Sequence, residues 1–137
     1  MNDRYLFRGK RTDNGEWATG AYLERYHSTR LGTVDAIFAS DENMTRRYPV
    51  YRGTVGQCTG CLDKHGARVF EGDVVKFEHP SPDVLNGTGV VAWNGEELAF
   101  EFSEPGAAAQ YYGYSGDLYE IIGNVHDNPW LLGAAGI

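Results

Sequence analysis

Short β-branched and aromatic runs, broken at intervals by glycine, recur along the chain. Glycine punctuates a chain where it must turn with positive φ, and the runs between suit a pleated, half-buried surface. The pattern predicts many short strands joined by tight turns, a mainly β fold. Near the N-terminus, Tyr5-Leu6-Phe7-Arg8 and Trp17 to Leu23 flank Asn14-Gly15, so an antiparallel hairpin is expected. Residues 24–50 carry a weaker pattern. Glu24 to Gly32 is polar, Val34 to Ala39 reads as a strand, Asp41 to Tyr48 is charged, and Pro49 forces its predecessor to be extended. This stretch reads as a surface excursion whose apolar run, Val34-Ala36-Ile37-Phe38, a small chain does not bury by itself.

The second half is clearer. Gly72 to Glu78 is a strand with Val75 and Phe77 on one face and Lys76 and Glu78 on the other. His79-Pro80-Ser81-Pro82-Asp83 breaks it. Val90 to Trp93, an Asn94-Gly95 turn and Leu98 to Phe102 form a second hairpin. Leu118 to Val125 is the last strand, and Asp127-Asn128-Pro129 caps a single helical turn docked by Trp130, Leu131 and Leu132. Val75, Phe77, Val91, Trp93, Phe100 and Ile121 fall on positions expected to share one core.

At 137 residues the chain fits one domain or two small subdomains. Six Phe, nine Tyr and three Trp supply enough bulk for a packed interior. Twelve basic against nineteen acidic residues leave a net charge of −7, which argues against non-specific nucleic-acid binding, where affinity comes from phosphate neutralisation. It favours solubility and a basic partner. No stretch approaches the roughly 18 apolar residues of a membrane helix, and Met1-Asn2-Asp3-Arg4 leads into no apolar run of signal-peptide type. Two cysteines make no disulfide framework. These features point to the cytoplasm.

Three separated blocks carry a family resemblance. They are Phe7-Arg8-Gly9-Lys10-Arg11 with Asn14-Gly15-Glu16-Trp17 and Gly20; Thr54 to Val75; and Tyr119 to Val125 with Asp127-Asn128-Pro129 and Leu131-Leu132. Together, in this order and spacing, they resemble the YopX family of phage- and prophage-encoded proteins. The resemblance implies an N-terminal β subdomain, placed here at residues 1–53, and an SH3-like small barrel at 54–133. It implies no catalytic residues, because none are established for the family. Cys58 and Cys61 depart from the family pattern, which has aromatic or aliphatic residues there.

Cys58-Thr59-Gly60-Cys61 has the two-residue gap of half a zinc site and His65 follows, but His27, His79 and His126 are isolated and no second Cys pair exists. Core packing of both cysteines is the reading adopted, with no metal and no cofactor. The glycines from Gly53 to Gly60 lack the Lys-Ser/Thr ending of a phosphate loop and read as turns. Carboxylates at Asp63, Glu71 and Asp73, and at Glu96, Glu97, Glu101 and Glu104, suit a hydrolase site in principle, but a solvated face accounts for them better. Arg4, Arg8, Lys10 and Arg11 form a basic cluster that is expected to pair with the acidic excess. The candidate binding surface is the run holding Tyr111, Tyr112 and Tyr114, since Tyr combines contact area with a polar tip. The expected function is a non-enzymatic phage or prophage accessory protein of the bacterial cytoplasm. It binds a protein, either a host or phage partner or a second copy of itself in a homo-oligomer. A nucleic-acid-associated module and a carboxylate hydrolase are the alternatives.

Overall fold

The computed structural model describes residues 3–40, 45–78, 80–82, 87–96, 98–103, 110–111 and 118–132. The chain forms two compact units, Met1–Cys58 and Thr59–Ile137. Eleven strands are described in chain order: β1 Phe7–Lys10, β2 Trp17–Ser28, β3 Gly32–Ser40, β4 Thr45–Pro49, β5 Gly56–Leu62, β6 Arg68–Phe70, β7 Asp73–Phe77, β8 Gly87–Asn94, β9 Ala99–Ser103, β10 Gln110–Tyr111 and β11 Tyr119–Asn124. The only helical pieces among the described residues are short 3-10 turns, including Arg52–Thr54 and Pro129–Leu132. The mainly β class expected from the sequence therefore holds.

In the first unit the strands run in the order β4-β3-β2-β1-β5. The hairpin expected around Asn14-Gly15 is present: Phe7 pairs with Gly20 and Lys10 with Trp17, and Gly15 takes a φ of +75°. Gly20 cannot be replaced cheaply, because a Cβ there would lie 2.1 Å from the Phe38 carbonyl oxygen. The stretch 24–50 is not a surface excursion. It completes β2 and supplies β3 and β4, and Ala36 and Ile37 are buried in full. Ile37 joins Ala18 and Val50 in the core of this unit, with Phe7, Tyr22, Tyr48 and Val55 packed around them. Two residues of the apolar run that supported self-association, Ala36 and Ile37, are thus covered within the chain, while Val34 and Phe38 are half-buried. Strand pairing explains the difference: β3 sits between β2 and β4, so both of its edges are hydrogen-bonded, and Ile37 packs with Ala18 and Val50.

In the second unit the order is β10-β9-β8-β7-β11. The two end strands of this sheet do not pair with each other, so an open sheet stands where a closed SH3-like barrel is expected. β10 is two residues long, and no pair between it and β11 occurs among the described residues. Val69, Val75, Phe77, Val91 and Tyr119 form the core, with Leu118 and Ile121 against it. Trp93 and Phe100 lie outside this cluster. They meet each other edge to face at 5.1 Å between centroids, and Trp93 is 51% exposed. Alternation alone does not show which end of a hairpin outruns its cover, and these two residues sit near the tip of the β8–β9 hairpin. The C-terminal turn is docked by Leu131, whose Cδ1 lies 2.7 Å from the position a Gly123 Cβ would take, whereas Trp130 is exposed.

Two turns in this unit are tied by buried carboxylates. Asp63 accepts the backbone N–H groups of His65 and Ala67 on Oδ1, both at 2.9 Å, and that of Ile121 on Oδ2 at 3.1 Å. Asp73 accepts the Phe70 N–H at 2.8 Å across the turn where Gly72 has a φ of +89°. Both belong to the carboxylate cluster singled out in the sequence, and both satisfy backbone donors.

Candidate functional site

An open cleft of about 510 Å³ lies in the first unit. Its position follows from an irregularity in β2. Leu23 pairs with Ala36 and Tyr26 with Val34, so Glu24 and Arg25 stand opposite the single residue Asp35. That is a β-bulge, which bends a strand and re-aims the side chains beyond it. Arg25 adopts a φ of +53°, and its N–H is caught at 3.0 Å by Asp35 Oδ1. The same carboxylate takes Arg52 in two bonds, Nε to Oδ2 at 2.6 Å and Nη2 to Oδ1 at 3.0 Å. The Arg52 guanidinium and then the Arg25 N–H pull the Asp35 carboxyl down to about 2.

Strand alternation puts Val34, Ala36 and Phe38 on one face of β3, together with their cross-strand partners Tyr26, Pro49 and Arg47. Val34, Ala36 and Pro49 supply an apolar floor to the cleft. Tyr26 meets Phe38 edge to face at 5.2 Å and has the Arg47 guanidinium 5.7 Å from its ring centre, where Arg47 Nη1 donates to the Tyr26 hydroxyl. A closer Arg–Tyr pair stands beside it, with the Arg11 guanidinium 4.3 Å from the centre of the Tyr48 ring. Arg11 in turn donates Nε and Nη2 to the two oxygens of Asp13, at 2.9 and 2.7 Å. The β2–β3 turn closes the cleft with Ser28, Thr29, Arg30 and Leu31; Ser28 Oγ accepts the N–H groups of Arg30 and Leu31 and so fixes that turn. Three arginines face one carboxylate around the cleft, a local positive charge on a chain of net −7.

Asp35→Ala tests this construction. It removes the acceptor that holds Arg25 and Arg52, and the expected loss is about 1–3 kcal/mol in denaturant melts at neutral pH. The carboxyl is depressed in the fold, so its contribution is complete above its unfolded value of roughly 3.9 and fades as pH falls toward 2. Asp35→Asn should flatten that part of the pH profile.

The residues singled out in the sequence are distributed differently. Tyr111 belongs to β10, while Tyr112 and Tyr114 lie outside the described residues. In the basic cluster, Arg8 and Lys10 sit 4.6 and 5.4 Å from the centre of the Trp17 ring, and only Arg11 reaches the cleft. Glu101 accepts a bond from Asn94 Nδ2 at 3.0 Å; Glu97 and Glu104 lie outside the described residues. Cys58 is fully buried as expected, but Cys61 is exposed: the two are three residues apart on β5, an odd spacing that places them on opposite faces of a strand. Burial, with the neighbouring Cys61, pushes the Tyr119 phenol up to about 12. No cluster of three or more potential metal ligands occurs among the described residues. The purified chain is expected to carry no stoichiometric zinc. About one zinc per chain by elemental analysis, lost together with folding in Cys58→Ala/Cys61→Ala, would reverse that expectation.

The cleft residues Tyr26, Arg47 and Tyr48 fall in the stretch that carried the weakest pattern. Their signal was the repeated Arg-Tyr pair, Arg25-Tyr26 and Arg47-Tyr48, on either side of the Val34–Ala39 run.

The profile of the YopX protein family matches residues 6–133. The chain belongs to the YopX family. All three resemblance blocks lie within the matched span. Comparison with curated proteins finds no match. Among solved structures, protein EF1440 from Enterococcus faecalis is similar, with 21% identity and a TM-score of 0.48 over 92% of this chain and 96% of that one. No helix among the described residues is long and apolar enough to cross a membrane.

Proposed function

We propose that this YopX-family chain is a phage or prophage accessory protein of the bacterial cytoplasm, and that it acts as a non-enzymatic binding module through the cleft of its first unit. One observation carries the reading. Two arginines are already held against two tyrosines beside an apolar floor, in a cleft of about 510 Å³. Tyr and Arg concentrate binding energy at protein interfaces, and a guanidinium stacked before the ligand arrives loses less entropy on binding. A protein is the favoured partner. A second copy of the chain is one such partner, because β4 stands at the end of its sheet and, beyond Pro49, whose carbonyl takes the Thr12 N–H, the end strand of a sheet is a template for another strand. Arg46 and Arg47 are both exposed on that strand and limit which partner it accepts.

Thr29→Trp is the test. Thr29 is exposed and lines the cleft, so a bulky ring there obstructs it without entering the core. Immobilised wild-type chain should retain host or phage proteins that the folded Thr29→Trp chain does not. Identical retention by both would contradict the reading.

A further inference from the structure

Resting on the reading of the cleft as the contact surface, we infer that its ligand is an acidic linear peptide that combines carboxylates with at least one apolar side chain. The chemistry of the walls selects this class. A guanidinium has five N–H donors in one plane, and stacking on a ring leaves that plane's edge facing outward. Arg47 commits one donor to the Tyr26 hydroxyl and Arg11 commits two to Asp13, so both retain donors for carboxylate oxygens. Arg30 adds a third guanidinium on the exposed β2–β3 turn. Between these cations lie Val34 and Pro49, both half-buried, and the edge of Leu31, which is 54% exposed. A ligand that satisfies the arginines alone leaves this apolar surface wet. One that offers an apolar side chain between acidic residues covers both.

Other ligand classes fit less well. A small inorganic anion has no use for the apolar floor, and the cleft has the size of sites that hold far larger ligands. A nucleic acid gains affinity by releasing counterions from several phosphates, while here three arginines, one of them tied to Asp13, stand on a chain of −7. A base would also need an open ring face, and Tyr26 already packs between Arg47 and Phe38. A folded partner must present a protruding segment to enter a cleft, and an unstructured acidic segment does so without further demands.

A library of random dodecapeptides displayed for selection on the full chain tests the inference without presuming a sequence. The selected peptides should be rich in Asp and Glu beside Leu, Ile, Val or an aromatic residue. Their affinity should fall at least about tenfold in Arg30→Glu/Arg47→Glu and in Thr29→Trp, and should weaken with salt. Neutral or basic peptides that Thr29→Trp still blocks would overturn the acidic preference and leave the cleft as contact surface. Peptides that bind both variants as well as wild type would overturn both statements. Selection of no peptide, or tighter binding of a thymidine oligonucleotide, would overturn the peptide assignment. So would a dimer that dissociates in Thr29→Trp and that no acidic peptide displaces, because a second copy would then fill the cleft.

Discussion

Asp63→Ala is expected to destabilise the protein by roughly 3–5 kcal/mol, because it orphans three backbone donors at once. Asp63 is only 7% exposed. Its two oxygens bind the turn that leads from β5 into β6 to the bulged part of β11, through His65 and Ala67 on one side and Ile121 on the other. The Lys64 N–H bonds the Tyr119 carbonyl beside it at 3.0 Å, so loss of the carboxylate frees a whole seam. Burial works against the charge, yet the N–H groups of Ile121, Ala67 and His65 outweigh it and hold the carboxyl below its ordinary value. A depressed carboxyl contributes its stability fully above the unfolded value of roughly 3.9 and loses it as pH falls through the folded one. Denaturant melts of wild type should therefore weaken as pH falls below about 4, and Asp63→Asn, which keeps one acceptor, should fall between wild type and Asp63→Ala. A loss below about 0.5 kcal/mol for Asp63→Ala would mean the turn stands without its carboxylate.

Phe77→Ala should cost a similar amount, roughly 3–5 kcal/mol, and Phe100→Ala only about 1–2. Phe77 is 0% exposed and packs with Val69, Val75, Val91 and Tyr119. Phe100 is half-buried and shares its contact with a Trp93 that is half in solvent, so its removal leaves less cavity. Equal losses for the two would place Phe100 in the core and move the β8–β9 register. Paired melts on the two variants settle the order.

How legible each part was follows from what decides it. Turns are chosen by local chemistry, so Asn14-Gly15 and Asn94-Gly95 announced themselves, and the hairpins came with them. β7 was legible because both its buried and exposed positions are extreme, from Phe77 to Lys76. Residues 24–50 were not, because β2 carries Arg25 at a bulge and β4 carries Arg46 and Arg47, charges that read as loop when their neighbours are unknown. Only the partner strand tells that Ile37 is covered, and only the bulge tells that Tyr26 meets Arg47. The acids Asp63 and Asp73 look like chemistry in a sequence, since nothing there shows that backbone N–H groups occupy their oxygens. The separation of Cys58 from Cys61 follows from their odd spacing once both are known to lie on one strand, which the Gly-rich run around them did not announce.

The cleft of the first unit is the centre of the account, and hydrogen–deuterium exchange tests it most directly. The chain is measured alone and then saturated with a protein or peptide that it captures. Protection should gather on the β2–β3 turn around Ser28–Leu31 and on Thr45–Pro49, where the cleft is built. Protection confined to the second unit or to the neighbourhood of Tyr111, with the β2–β3 turn unchanged, would contradict it.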